Sequence, residues 1–243
     1  MAGHSKWANI KHKKERTDAQ RGKIFTKIGR EIAVAVKEGG GSDLGNNSKL
    51  RDVVAKAKAA NMPNDNIARS IKKAAGELGS VNYEEIVYEG YGPGGIAVIV
   101  ETLTDNRNRT AGEMRHLFDK YGGSMGTSGC VAWMFETKGV IIVEKGDVAD
   151  EDELMLFALD NGADDFEDME EYYEISCDPA SFSSLREALE SQGYSLFSAE
   201  VGRISSNNAE ASSEETEKFA VLLDKLEDQD DVQNVYHNAQ VDE

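Results

Sequence analysis

The chain has 243 residues, of which 40% are hydrophobic and 30% are charged, and its formal net charge is −18. The apolar content excludes a wholly disordered chain, and the length suits two or three domains. The two cysteines, Cys130 and Cys177, lie outside any CxxC pattern, which argues against a disulfide scaffold or a zinc ribbon. No apolar run approaches the roughly 20 residues of a membrane span, and no signal-peptide core is present, so we expect a cytoplasmic protein without membrane contact.

Charge is distributed unevenly along the chain. Residues 1–73 contain 17 Lys and Arg against 7 Asp and Glu, a net charge of +10. Residues 74–243 contain 10 against 38, a net charge of −28. A cationic module of this kind is typical of proteins that bind the phosphate backbone of nucleic acid, whereas the acidic remainder repels it. The pattern therefore predicts that residues 1–73 bind DNA or ribosomal RNA.

The first 16 residues are rich in cations, include a tryptophan and show weak helical periodicity. We predict an arm that orders on its partner, with cations that neutralise phosphates and an indole that stacks on a base. The alternative is a frayed, solvated terminus with the indole packed against a helix. The predicted contact residues of the arm are Lys6, Trp7, Lys11, Lys13, Lys14 and Arg16.

A capping-box pattern at residues 17–20 predicts the start of an amphipathic helix, and three glycines at 39–41 predict its end. The residues expected to face inward are Ile24, Phe25, Ile28, Ile32, Ala35 and Val36. A separate arc of about 80° carries Lys23, Lys27, Arg30 and Lys37. This basic face is a candidate phosphate-binding surface, and the alternative is an ordinary solvated face. Because the predicted core residues lie on another face of the helix, replacing Lys23, Lys27 and Arg30 with Glu is expected to leave the fold intact.

Two further helices are predicted at residues 49–60 and 65–75, the second with Asn64 as its N-cap. Arg69, Lys72 and Lys73 add charge to the second. Neither helix is a clear recognition helix with base-reading side chains at its start, so backbone binding is better supported than sequence-specific readout. Together the three helices predict a helical domain over residues 1–78.

After residue 79 the pattern changes to strands alternating with helices. Strands are predicted at 96–100, 130–135, 140–143, 172–176, 196–201 and 232–238. Helices are predicted at 111–121, 151–159, 181–191 and 213–226. Residues 140–201 complete a β-α-β-β-α-β unit if the acidic segment 164–173 feeds the paired strands. The C-terminal helix and strand supply what the segment 96–135 lacks. We therefore predict an α+β protein, in which the three-helix domain is followed by two ferredoxin-like α/β domains, the second (136–204) inserted in the first (79–135 plus 205–243).

Two loops of the body are candidate anion sites. The glycine-rich residues 90–95 could cradle phosphate, but they lack the Lys-Ser/Thr of a P-loop, and a tight turn is the alternative. Residues 104–110 place Arg107 and Arg109 at a helix N-terminus, which favours anion binding. The alternative there is helix capping with surface salt bridges.

Nothing in the chain indicates catalysis, a metal or a cofactor. The acidic runs at 164–171 and 227–231 lack the spacing of an EF-hand and are interpreted as solvated surface. The four histidines have no ligand spacing, and no nucleophile elbow or paired-carboxylate signature is present. We expect a non-enzymatic protein, and a monomer because no coiled-coil seam appears.

Four segments resemble the YebC/PmpR family essentially from end to end. They are GHSKWANIKHKKERTDAQRGKIFTKIGREI, LRDVVAKAKAANMPNDNIARSIKKAAG, YEGYGPGGIAVIVETLTDNRNRT and GGSMGTSGCVAWMFETKGVI. The resemblance implies three domains and a cytoplasmic, non-enzymatic regulator of gene expression, and mitochondrial members of the family activate translation of cytochrome c oxidase. The motif positions that it carries over are Lys6, Trp7, Lys11, Lys13, Lys14, Arg21, Lys23, Phe25 and Lys27, and Arg107 and Arg109 lie in a further motif. Residues 42–45 depart from the Asp-Pro that members often have, which affects only a turn.

The family resemblance leaves two targets open. Some members are described as DNA-binding transcriptional regulators, and others resemble ribosome-associated factors that relieve stalling at consecutive prolines. A basic arm with an aromatic residue suits irregular RNA, whereas duplex readout needs an element that enters a groove. Transcriptional regulation is the first hypothesis, and binding of ribosomal RNA is the alternative.

Overall fold

The computed structural model of the chain describes residues 18–76 and 81–239, and its first unit is a bundle of three helices. They are α1 (Asp18–Glu38), α2 (Ser48–Ala59) and α3 (Asn64–Ala74). The predicted apolar face of α1 is confirmed, because Ile28 and Ile32 are buried and Ile24 and Phe25 pack at the edge of the same core. Helices α2 and α3 complete this core with Leu50, Val54, Ala57 and Ile67.

A buried asparagine fixes the turn between α1 and α2. Asn47 is 1% exposed, and its Oδ1 accepts a hydrogen bond of 2.9 Å from the N–H of Leu50. Its Nδ2 donates to the carbonyls of Ala35 and Gly41, both at 2.8 Å. One side chain therefore caps α2 and ties it to the end of α1.

The start of α3 differs from the sequence prediction. Asn64 was expected to cap this helix, but Asn64 is its first residue, and Pro63 occupies the cap position without a side-chain hydrogen bond. The proline ring holds φ near the observed −58°, so the chain turns into the helix one residue earlier.

The second unit is a four-stranded antiparallel sheet with two helices on one face. Its elements are β1 (Glu84–Tyr91), β2 (Ala97–Thr104), α4 (Arg107–Lys120), β3 (Ser124–Met125), α7 (Ser213–Glu227) and β8 (Val232–His237). The strand order is β3-β1-β2-β8, so the last strand of the chain completes this sheet. The helices cover Val98 and Val100 of β2 with Phe118, Phe219 and Leu222.

The third unit lies in the chain between β3 and α7 and forms a sheet of its own. Its elements are β4 (Phe135–Glu144), α5 (Glu151–Asp160), β5 (Asp165–Asp168), β6 (Tyr172–Cys177), α6 (Phe182–Gln192) and β7 (Ser198–Ser205). All its strand pairs are antiparallel, in the order β5-β6-β4-β7. The helices pack on Ile141 and Ile175 through Leu154, Leu185 and Leu189. This is the predicted β-α-β-β-α-β unit.

The α+β class, with a helical unit followed by two sheets covered by helices, is therefore confirmed. In the second unit the elements follow the chain order β-β-α-β-α-β rather than β-α-β-β-α-β. The hairpin β1–β2 forms the centre of its sheet. A short turn makes β1 and β2 neighbours, and β3 and β8 then add at the two outer edges. The domain boundaries drawn from the sequence are kept as our proposal.

The structure differs from the strand predictions in several places. The strand β1 was not predicted, because its glutamates interrupt the alternation of apolar and polar residues that is typical of a strand. The strand predicted at 130–135 is a turn ending in a short 3₁₀ helix, Ala132–Met134, since the N–H groups of Val131 and Ala132 bind a side chain instead of a ladder. The strand predicted at 196–201 begins and ends later, at Ser198–Ser205. Among the described helices, none is long and apolar enough to cross a membrane.

Candidate nucleic-acid interface

Six of the predicted contact residues lie outside the described part of the chain, and their assignment stays a prediction. They are Lys6, Trp7, Lys11, Lys13, Lys14 and Arg16. Of the family-derived residues in α1, Arg21 is exposed and Phe25 packs at the edge of the helical core.

The basic face of α1 packs against the end of α7 and the acidic residues that follow it. Lys27 Nζ donates to the carbonyl of Glu227 at 2.7 Å, and Lys23 Nζ pairs with Asp228 Oδ1 at 2.5 Å. Arg30 Nη1 donates to the carbonyl of Asp230 at 2.7 Å. The free carbonyls at a helix C-terminus carry partial negative charge, which attracts cations.

These contacts correct two expectations from the sequence. The basic face was expected to be solvated or bound to phosphate, and the acidic run 227–231 was interpreted as solvated surface. In the structure the basic face of α1 binds the acidic run. Their residues lie 200 positions apart in the chain and meet only in the tertiary structure. The assignment of Lys23, Lys27 and Arg30 to a nucleic-acid surface stays a prediction, and the contacts give them a structural role as well.

A buried carboxylate lies at the centre of this junction. Asp231 is 4% exposed, and its Oδ1 accepts from Arg30 Nη1 at 2.6 Å. Its Oδ2 accepts from Arg109 Nη2 and from the hydroxyl of Thr110, both at 2.7 Å. Burial alone raises the pKa of Asp231, but the hydrogen bonds from Arg109, Thr110 and Arg30 outweigh it and lower the pKa to about 2. Asp231 is therefore ionised at every physiological pH.

This carboxylate occupies the predicted anion site at the start of α4. Asn106 caps that helix, since its side chain accepts from the N–H of Arg109. The side chain of Arg109 binds Asp231 and Asp105. Arg107 is exposed. An internal anion thus takes the place that the sequence offered to a phosphate, and Arg109 binds this anion although its side chain is 43% exposed.

The glycine-rich loop at residues 90–95 is a tight turn between β1 and β2. Gly92 is buried, and a Cβ added there would lie 2.7 Å from Phe219 Cδ2. Gly94 has a φ of 71°, and a Cβ there would lie 2.9 Å from the Cβ of Ala211. These glycines allow the turn to pack closely on α7, so the loop is not an open phosphate cradle.

Further exposed cations of the helical unit lie on α2 and α3. Arg69, Lys72 and Lys73 are exposed on α3, and Lys58 is exposed near the end of α2. The α3 residues are spaced i, i+3 and i+4 and so share one face. The sequence showed that they add charge, but the structure was needed to show that they are exposed, whereas Lys27 and Arg30 of α1 are partly buried against the acidic body.

Ion pairs also join the three units around a central cleft of about 470 Å³. Asp52 of α2 pairs with Arg186 of α6 at 3.2 Å, and Arg203 of β7 pairs with Glu101 of β2 at 2.9 Å. The arrangement of the units therefore depends on charge as well as on apolar packing. Among residues 18–76 and 81–239, no group of three or more His, Cys, Asp and Glu is placed to hold a metal.

A second buried carboxylate fixes the loop that precedes β4. Glu89 is 5% exposed and accepts from the N–H groups of Gly129 at 2.7 Å, Val131 at 3.0 Å and Ala132 at 2.9 Å. Burial raises the pKa of Glu89, but these three hydrogen bonds outweigh it and hold the pKa below the ordinary 4.5. The loop thereby presents Trp133 to solvent with 71% of its surface exposed. No sequence pattern indicates this anchoring.

We expect the substitution Glu89→Gln to lower the free energy of unfolding by about 1–3 kcal/mol, because an amide leaves at least one buried N–H without an acceptor. The pKa of Glu89 is depressed, so its contribution is present above pH 4.5 and is lost as the pH falls below it. Urea denaturation at pH 7 measures the difference. Glu84→Gln, at an exposed position of the same strand, is the control and should have no effect. Equal stability of the two variants would show that Glu89 does not hold the loop.

Comparison with known proteins gives concordant matches over the whole chain. Residues 5–77 match the profile of the TACO1/YebC protein N-terminal domain, and residues 83–239 match that of the TACO1/YebC second and third domain. A probable transcriptional regulatory protein of Acetivibrio thermocellus is 64% identical over 98% of both chains. One of Clostridium acetobutylicum is 59% identical over 100% of this chain and 98% of its own.

A solved structure agrees with the fold. The crystal structure of a conserved hypothetical protein from Aquifex aeolicus superimposes with a TM-score of 0.84 and is 44% identical. The match covers 94% of this chain and 93% of that one.

Proposed function

Because the chain belongs to the TACO1/YebC family, we propose that it is a regulator of gene expression that binds nucleic acid through residues 1–73. The names of its relatives, probable transcriptional regulatory proteins, support DNA as the first target. We further propose that it acts in the cytoplasm, as a monomer and without catalysing a reaction.

The observation that carries the proposal is the separation of charge. Residues 1–73 have a net charge of +10 and residues 74–243 one of −28. Lys23, Lys27 and Arg30 of α1 bind groups of the acidic body, whereas Arg69, Lys72 and Lys73 are exposed on α3. We infer that these α3 cations act with the predicted arm, and that both neutralise backbone phosphates.

The dependence of binding on salt tests this proposal. If the cationic residues neutralise about four to six phosphates, the logarithm of the affinity for a DNA duplex should fall against log salt with a slope near −4 to −5. Replacing Arg69, Lys72 and Lys73 with Gln should make the slope shallower by about 3. Fluorescence anisotropy of a labelled duplex, measured from about 50 to about 200 mM salt, gives both slopes. A flat dependence for the unaltered protein would refute the electrostatic interface.

Ribosomal RNA is the second candidate target. The exposed cations of α3 lie in the second half of that helix, an arrangement suited to phosphates of either polymer rather than to base edges in a groove. Sedimentation with ribosomes at low and moderate salt, beside duplex binding under the same conditions, separates the two. Tight co-sedimentation with weak duplex binding would favour a ribosome-associated factor.

A further inference from the structure

Trp133 is the most exposed large hydrophobic side chain among the described residues, with 71% of its surface exposed. An indole offers a large apolar surface, which a folded protein normally buries or uses for binding. The neighbouring Val131 is fully buried beneath the same loop, so the loop has access to a core and still leaves its tryptophan outside. The position of Trp133 therefore needs an explanation beyond folding.

The loop that carries Trp133 is held in one conformation. The backbone N–H groups of Gly129, Val131 and Ala132 donate hydrogen bonds to the Glu89 carboxylate. The N–H of Gly126 donates to the Glu89 carbonyl at 2.8 Å. A Cβ at Gly126 would lie 2.5 Å from Cys130 Sγ, so the turn is closely packed. A rigid support lowers the entropy cost of binding a partner.

The orientation of the indole is also fixed. Trp133 Nε1 donates to the carbonyl of Cys130 at 3.2 Å, and the hydroxyl of Tyr91 donates to the same carbonyl at 3.3 Å. Tyr91 is itself 36% exposed. Because the polar groups of both rings are used inside the protein, what they offer to a partner is aromatic surface.

The chain segment that carries Trp133 contains no charged side chain. Residues 121–134 contain no Asp, Glu, Lys or Arg, although the body from residue 74 onward has a net charge of −28. Ser124, Thr127 and Ser128 are exposed in this segment. Within this segment a phosphate chain would meet hydroxyl groups rather than carboxylates, so the segment adds no repulsion of its own.

We propose that Trp133, with Tyr91 beside it, is a stacking site for an unpaired base of a single-stranded nucleic acid. Stacking on an aromatic ring needs no hydrogen bond to the ring, which fits an indole whose N–H is already bonded. The exposed residues Ser124, Thr127 and Ser128 of the same loop are small and polar, so the exposed aromatic surface that a partner would meet here is that of Trp133 and Tyr91. The inference rests on the proposed function and adds a second contact, distant in sequence from the cationic helices.

The first test measures affinity for a labelled 12-nucleotide single-stranded RNA and for a duplex of the same sequence. Trp133→Ala should weaken binding of the single strand by about 5- to 150-fold, the equivalent of one lost stacked base, and should leave duplex binding unchanged. Trp133→Phe keeps an aromatic ring and should restore most of the affinity. Leu156→Ala truncates another well-exposed apolar side chain (59% exposed), on α5; it is the matched control and should have no effect.

The second test follows the indole itself. The chain has two tryptophans, so in a Trp7→Phe background Trp133 is the sole tryptophan fluorophore. Its emission should be quenched as the single strand binds, with the same midpoint as the anisotropy of the labelled RNA in that background. The far-ultraviolet circular dichroism and melting temperature of each variant establish that it is folded.

Two results would overturn the stacking site. One is wild-type affinity of Trp133→Ala for the single strand, or unchanged Trp133 emission at saturation, while the unaltered protein binds. The other is normal oligonucleotide binding by Trp133→Ala together with lost association with a protein partner, which would assign the indole to a protein interface. Absence of any nucleic-acid binding by the unaltered protein is a different result, since it contradicts the proposed function itself.

Discussion

Replacing Lys23, Lys27 and Arg30 together with Glu is expected to lower the free energy of unfolding by about 3–5 kcal/mol. Most of the loss should come from Arg30, because its pair with Asp231 is nearly buried, with side-chain exposures of 15% and 5%. The pair of Lys23 with Asp228 is about half exposed and adds little. Urea denaturation followed by circular dichroism measures the loss. The sequence alone predicts no such effect, since it places these residues on a solvated face.

The same reversal of six charge units on α3 is the matched control. Arg69, Lys72 and Lys73 are exposed, so replacing them with Glu should change stability by no more than about 0.5 kcal/mol each. Nucleic-acid binding should collapse in this variant, because three attractions become repulsions. If the α1 variant were as stable as the α3 variant, the contacts between α1 and residues 227–231 would make no net contribution to the fold.

The substitution Asp231→Ala is expected to destabilise the protein by about 3–5 kcal/mol. It removes the acceptor for Arg30, Arg109 and Thr110 at once, and leaves two guanidinium groups close together without a carboxylate between them. Asp231→Asn keeps the shape and one acceptor oxygen, so it should cost less. Asp105→Ala removes the exposed partner of Arg109 and serves as the control, with an expected change of under about 1 kcal/mol.

Acid titration tests the same carboxylate independently. Folding lowers the pKa of Asp231 from the ordinary 3.8 to about 2, which corresponds to a stabilisation on the order of 2 kcal/mol. Since the folded pKa is the lower one, this contribution is complete well above pH 4 and is lost as the pH falls towards 2. Urea midpoints at pH 6 and pH 3 should therefore differ more for the unaltered protein than for Asp231→Asn. An identical pH dependence would show that Asp231 is not the titrating group.

The local features of the fold could be predicted because they depend on neighbours in sequence. The apolar spacing of Ile28 and Ile32 follows the helical period, and the glycines after α1 end that helix. The insertion of the third unit could also be inferred, since its β-α-β-β-α-β pattern is complete between two halves of another unit. Strand β1 was missed because Glu84, Glu85 and Glu89 interrupt the apolar alternation on which strand prediction depends.

The sequence by itself determined the class of the fold, the helices and their inward faces, the family and the separation of charge, because each follows from local period, motif or composition. The tertiary structure alone decided which charges are available to a partner. Arg30 and Asp231 lie 201 residues apart, and no local pattern shows that each neutralises the other. The exposure of Trp133 likewise depends on Glu89, 40 or more residues earlier, whose carboxylate holds the loop. Burial and pairing are properties of the packed chain, so the surface left for a partner is known only after those contacts are made.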